Sequence, residues 1–95
     1  MGFAMKKVAG GKLVEAEVEA SGGRITRVRI TGDFFAHPEE VIEEVERRLV
    51  GAPVQPGEVL VRIRSTLEEA DAVLVGVSAE DVAEVVLKAA GVEAR

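Results

Sequence analysis

Residues 13–31, LVEAEVEASGGRITRVRIT, alternate with a period of two. Val14, Ala16, Val18 and Ala20 fall on one side of an extended chain and Glu15, Glu17 and Glu19 on the other. After Ser21-Gly22-Gly23 the pattern resumes, with Thr26, Val28 and Ile30 on one side and Arg27 and Arg29 on the other. A three-residue loop with Gly23 at its left-handed position predicts a β-hairpin. That loop sets Glu17 opposite Arg27, Glu15 opposite Arg29, Val14 opposite Ile30 and Ala16 opposite Val28. One register then yields apolar pairs on one face and opposite charges on the other, which is how register becomes specified. The charged face is solvated, and the apolar face needs a cover.

Helices downstream supply it. Pro38 suits a first helical position, Glu39 and Glu40 suit the positive end of the helix dipole, and Arg47 and Arg48 the negative end. Val41, Ile42, Val45 and Leu49 form the apolar stripe, and Gly51 stops the helix. Residues 58–70, EVLVRIRSTLEEA, fit two periods: Val59, Val61 and Ile63 alternate as in a strand, whereas Val59, Ile63, Leu67 and Ala70 recur as in a helix. Their length and the leading Pro56-Gly57-Glu58 favour the helix. Ala72 to Val77 reads as a short apolar strand. Ser78 then caps a last helix, with Asp81 at the capping-box spacing, a stripe of Val82, Val85, Val86 and Ala89, and Gly91 at its end. The predicted order is β-β-α-α-β-α: an α+β fold in which about three helices cover a small, mainly antiparallel sheet made of the hairpin and a third short strand.

Composition bounds the function. At 95 residues the chain reads as a single domain, 1–95, with room for one core but not for a deep enclosed catalytic cavity as well. A net charge of −5 argues against nucleic acid as a partner, because phosphate-backbone binding rests on a concentrated basic surface. The absence of cysteine excludes disulfides, thiolate nucleophiles and cysteine-ligated metal. No apolar run has the length of a membrane span, and the start, MGFAMKKVAGGK, lacks the apolar core of a signal peptide, so a cytoplasmic protein is expected. Asparagine is absent and arginine outnumbers lysine, a usage that fits a heat-adapted source.

The search for chemistry returns mostly negatives. His37 is the one histidine, and without an orienting partner it reads as a helix-start or surface residue rather than a base or a metal ligand. The glutamates at 39, 40, 43, 44 and 46 read as a solvated helix face. Gly10-Gly11-Lys12-Leu13 is not a phosphate loop, because the upstream glycine is missing and Leu13 stands where a hydroxyl is required. Gly10 and Gly11 read as a turn, with contact from Lys12 to a phosphate or carboxylate as the lesser reading. No catalytic residue is assigned.

One stretch remains unexplained. Of three aromatic residues, all phenylalanines, two stand side by side in Thr31-Gly32-Asp33-Phe34-Phe35. Adjacent side chains of an extended chain diverge, so one can enter the core beneath the first helix while the other faces a different surface. In one reading both wrap into the core. In the other an outward phenylalanine and Asp33, on a turn that Gly32 permits, form a docking patch, since exposed aromatics anchor interfaces.

Lys-Val-Ala-Gly-Gly-Lys-Leu-Val (7–14), a hairpin, Ile-Thr-Gly-Asp-Phe-Phe (30–35), His-Pro-Glu-Glu (37–40), a helix ending Leu-Val-Gly (49–51) and a closing Gly76-Val77-Ser78 with its helix together resemble the accessory domain of lipoate–protein ligases. Gly32-Asp33-Phe34-Phe35 after a hairpin is the most specific part, and Ala9 departs from the proline that relatives often carry. In many of these enzymes the domain is the C-terminal part of one chain, and in others it is a separate small subunit. The resemblance implies an accessory subunit without catalytic residues that partners a catalytic large subunit and, through it, lipoyl carrier domains. ATP, Mg²⁺ and lipoate belong to the complex and not to this chain alone. It implies a lid that favours conversion of lipoate to lipoyl-AMP, with Gly10, Gly11, Lys12, Gly32, Asp33, Phe34, Phe35 and His37 as candidates for the partner interface. Two rivals stand beside it. A free-standing regulatory module could bind a small ligand as a homodimer through a sheet edge. An iron–sulfur scaffold is suggested by Val50-Gly51-Ala52-Pro53, but its cysteines are missing.

Overall fold

In the computed structural model, which describes residues 2–92, the hairpin carries an additional strand on its outer side. Strands β1 (Gly2–Lys7), β2 (Leu13–Ser21) and β3 (Arg24–Gly32) form an antiparallel sheet in the order β1-β2-β3. Then come β4 (Phe35–His37), α1 (Val41–Leu49), α2 (Pro56–Glu69), β5 (Val73–Val75) and α3 (Ala79–Ala89). The class is α+β, as the periodicities predict, with the order β-β-β-β-α-α-β-α. Residues 72–77 do not complete the hairpin's sheet: β5 pairs with β4 in a separate two-stranded ribbon, and β1 takes the third place beside the hairpin.

The hairpin forms, with a register two residues away from the predicted one. Glu17 faces Arg29, Glu19 faces Arg27, Ala16 faces Ile30 and Val18 faces Val28. The turn explains the shift. Gly22 and Gly23 both have positive φ, 60° and 77°, which is the requirement of a tight two-residue turn rather than a three-residue loop. A bulge between Glu19 and Ala20 absorbs the extra residue on β3. Ile25 therefore takes the inner position assigned to Thr26, whose hydroxyl donates to the Glu19 carbonyl at 3.1 Å, and Ala20 is exposed. The pairing logic survives with new partners, and Arg27 meets Glu19 at 3.4 Å.

β1 inverts the usual rule. Its large side chains, Phe3 and Met5, point outward, while Gly2 and Ala4 face α3. A Cβ added to Gly2 would lie 1.7 Å from the Ala89 carbonyl oxygen, so α3 rides too close for anything larger. Nearer the start of α3 the inward position on β1 is Lys6, whose Nζ reaches Asp81 at 2.8 Å and Glu84 at 3.3 Å.

Helix α1 covers β3, α3 covers β1 and β2, and α2 packs against both other helices. The predicted stripes are the buried ones, with Val41, Val45 and Leu49 on α1 and Val82, Val85, Val86 and Ala89 on α3; Ile42 is half-buried. Pro38 is not the first helical residue. It follows a cis peptide bond from His37 and opens a turn, its carbonyl accepting from the Val41 amide at 3.1 Å, and the helix begins at Val41. Residues 58–69 are helical from Pro56, and Ser78 and Asp81 form the expected reciprocal cap of α3 at 3.1 and 2.9 Å. The segment after α1 runs back along the start of β3, where the Ile25 amide donates to the Ala52 carbonyl at 2.9 Å and the Val54 amide to Gly23 at 2.8 Å. Among the described residues no buried side-chain polar atom lacks a partner.

Candidate functional site

The chain leaves β3 through Gly32, where there is no room for a side chain: an added Cβ would lie 2.2 Å from the Leu13 carbonyl oxygen and 2.9 Å from the Phe34 ring. Asp33 then fastens itself to the head of β2. Its amide donates to the Leu13 carbonyl at 3.1 Å, and its carboxylate accepts from the Leu13 amide. The β1–β2 connection is closed in turn by the Val8 amide donating to Lys12 at 2.7 Å and the Gly11 amide donating to Val8 at 2.9 Å. Gly10 and Gly11 make that turn with φ of 98° and 88° and have open space around them. Asp33 is thus a clasp that positions the Lys12 loop, and it remains exposed.

The two phenylalanines divide the work. Phe34 packs against the core, while Phe35 is 67 % exposed. The Lys12 ammonium stands 5.5 Å from the centroid of the Phe35 ring, within the range of a cation–π contact. The Lys12 stem lies over Gly76, where an added Cβ would fall 2.7 Å from Lys12 Cγ. In the ribbon Phe35 pairs with Val75, Ala36 with Leu74, and His37 with Val73. Ala36 and Leu74 are half-buried, Leu74 against the core. Phe35, His37, Val73 and Val75 all face outward.

Of the residues singled out in the sequence, Lys12, Gly32, Asp33, Phe34 and Phe35 come together in one corner. Gly10 and Gly11 shape the adjoining turn, and His37 stands at the far end of the ribbon's outer face. Val73, Val75 and Gly76 complete the corner and were not anticipated. Ala72 to Val77 is apolar at nearly every position, a short apolar strand in the sequence whose pattern does not single out an exposed face. Chemically the corner offers apolar contact beside the Lys12 ammonium and the Asp33 carboxylate. Among the described residues no group of three or more histidine, aspartate or glutamate side chains could hold a metal ion, and no helix is long and apolar enough to cross a membrane.

The arginine-lined groove of α1 and α2 is self-neutralised. Arg47, Arg48 and Arg62 line an open groove with Val50 and Val61, but Arg47 pairs with Glu44, Arg48 with Glu44 and Glu69 at 3.0 and 2.9 Å, and Arg62 with Glu58 at 3.5 Å. Their pairing holds the Glu44 carboxyl below its ordinary range, chiefly through the bond from Arg47.

The family described as bacterial lipoate protein ligase C-terminus matches residues 4–86. A solved structure of an archaeal lipoylation system, a bi-partite lipoate protein ligase and its E2 lipoyl domain from Thermoplasma acidophilum, contains a similar chain. It is 27% identical with a TM-score of 0.76, and the match covers 90% of this chain and 93% of that one. No curated protein matches the chain.

Proposed function

Because this chain belongs to the family of the C-terminal domain of bacterial lipoate protein ligases, we propose that it is the non-catalytic accessory subunit of a bipartite lipoate–protein ligase. In this reading it associates with a catalytic large subunit and supports ATP-dependent activation of lipoate to lipoyl-AMP, which precedes transfer to a lysine of a lipoyl carrier domain. The large subunit binds ATP, Mg²⁺ and lipoate. The observation that carries the reading is the match over 90% of this chain and 93% of a chain in the structure of a bi-partite ligase.

The physical role that suits such a chain is closure. A rigid body that settles over an adenylation site excludes water from the reactive anhydride and orders the loops around the triphosphate. It needs a firm scaffold and an adhesive surface, and no nucleophile. The rival homodimer through a sheet edge loses ground at β3, where the outward amide of Ile30 donates to Glu46 at 2.7 Å and residues 51–54 line the strand's start.

Lipoate-dependent release of pyrophosphate from ATP tests the proposal. The assay uses a ligase large subunit from the same source that has no C-terminal domain of its own. Activity is expected only when both chains are present. Full activity of the large subunit alone, unchanged by this chain, overturns the reading.

A further inference from the structure

We propose that the outward face of the β4–β5 ribbon, formed by Phe35, Val75 and Val73 with Lys12 at one end, is the surface on which the catalytic chain docks, through an apolar face that sets a carboxylate opposite Lys12. This inference rests on the accessory-subunit reading and adds the surface and the chemistry of its counterpart.

Among the described residues, large exposed apolar side chains occur at three places, and two of them are diluted by charge. Phe3 and Met5 on β1 stand directly across from Glu17 and Glu15. Val50 and Val61 lie among the arginine–glutamate pairs of α1 and α2. On the ribbon the cross-strand neighbours are one another: Phe35 meets Val75, and His37 meets Val73. Phe35, Val73 and Val75 are 67 %, 57 % and 54 % exposed, and the Lys12 ammonium lies over the Phe35 ring. Three apolar side chains gathered on one exposed face, with His37 beside Val73, mark an interaction site. The Lys12 ammonium, on a molecule of net charge −5, selects a negative counterpart.

The face is also held in place. Asp33 pins the loop that carries Lys12, Gly76 lets the Lys12 stem lie flat, and Phe34 anchors the chain one residue before Phe35. An aromatic anchor fixed before association loses little conformational entropy on binding, the condition under which one side chain dominates an interface. Beside it an open groove of about 260 Å³, lined by Phe34, Phe35, Ala36 and Ile42 together with Thr31 and Glu39, can receive a partner's side chain.

A second copy of this chain is a poor occupant. Two ribbons of three residues a strand, face to face, cover far less than the ~800 Å² per partner of a standard interface. Self-pairing would also bring together two molecules that each carry −5. A larger partner reaching from the ribbon across Lys12 into the groove meets neither obstacle.

Titration calorimetry of the full chain against its cognate catalytic chain tests this. Replacing Phe35 and Val75 together by serine is expected to weaken binding about 30-fold or more, as loss of a hot spot does. Lys12→Glu is expected to weaken it too, by an amount that shrinks as salt rises. Phe3→Ser and Val61→Ser should leave the affinity within about two-fold. Circular dichroism checks that each variant is folded, and Lys12→Glu, which removes no core contact, serves if the double variant is not. If the wild-type chain binds and the ribbon and Lys12 variants bind equally well, the docking surface lies elsewhere and the accessory role stands. If the wild-type chain does not bind at all, the accessory reading fails and this inference falls with it.

Discussion

In the three-stranded sheet the inner apolar side chains meet a helix, the outer face pairs glutamate with arginine, and the outward amide of Ile30 on β3 ends on Glu46. In the two-stranded ribbon Ala36 and Leu74 turn toward the body of the molecule, but the opposite face shows Phe35, Val73 and Val75 to solvent. Both sheets are antiparallel and rich in β-branched or aromatic residues, so propensity does not separate them. Each has one face turned to the body of the molecule, and what separates them is the other face. On the large sheet Phe3 and Met5 stand across from glutamates and the hairpin pairs glutamate with arginine, whereas on the ribbon Phe35 and Val75 are each other's cross-strand neighbours and Val73 has His37. The covered side carries the stability of the fold, and the bare side of the ribbon is kept for contact.

The comparison implies that substitutions on the covered side cost stability, while those on the bare side cost association. Leu49→Ala, at a fully buried site between α1 and the rest of the core, is the sharpest case and should destabilise the chain by about 3 kcal/mol, read from urea unfolding. A loss below about 1 kcal/mol would mean that the covered side is less tightly packed than it looks. Gly32→Ala probes the hinge between the two sheets. Its Cβ would press on the Leu13 carbonyl, which is already held by the Asp33 amide, and relieving the clash must break that clasp. A loss of about 2 kcal/mol is expected, with weaker quenching of exchange at the Leu13 amide by hydrogen-exchange NMR.

How much of this was legible depends on whether a pattern is local. The alternation of residues 13–31 announced the hairpin, and Ser78 with Asp81 announced the cap of α3, because each feature is decided by neighbours a few residues apart. The register was missed by two because a bulge at Thr26 and a turn with both glycines at positive φ are alternatives that alternation does not distinguish. β1 was missed because the approach of Ala89 to Gly2, 87 positions apart, forces small residues inward and large ones outward, the reverse of the usual signature. At the site, the divergence of Phe34 and Phe35 follows from extended-chain geometry, although wrapping of both into the core was equally compatible with the sequence. Val73 and Val75 gave no sign of exposure, since a short apolar run looks the same with one face covered or two.

The contact that ties β1 to α3 sharpens the comparison in a third way. The bond from Lys6 holds the Asp81 carboxyl below its ordinary range, and the bond to Asp81 raises the Lys6 ammonium above its own. A depressed carboxylate stabilises the fold above its unfolded value and loses that contribution as pH falls through the folded one. A raised lysine stabilises below its unfolded value and loses that contribution as pH rises through the folded one. The pair therefore acts across the neutral range. Lys6→Met should lower stability by about 1 kcal/mol at neutral pH, with the difference from wild type closing toward strongly acidic pH as Asp81 protonates. Urea unfolding at neutral and acidic pH reads this directly, and a difference that persists unchanged in acid would assign the effect to packing of the lysine stem.

The smallest stability effect belongs to the ribbon. Phe35 is the largest side chain on the bare face, and in an ordinary core a phenylalanine would be among the costliest residues to lose. Here two-thirds of it already lies in solvent, and its main contact is the cation of Lys12, an exposed pair worth well under the burial of a ring. Phe35→Ser should change the free energy of unfolding by no more than about 0.5 kcal/mol in either direction. A larger loss would show that the ring braces the Lys12 loop and that the bare face is partly structural. A null effect on stability beside a large effect on association would separate the two sheets by function as cleanly as the coordinates separate them by burial.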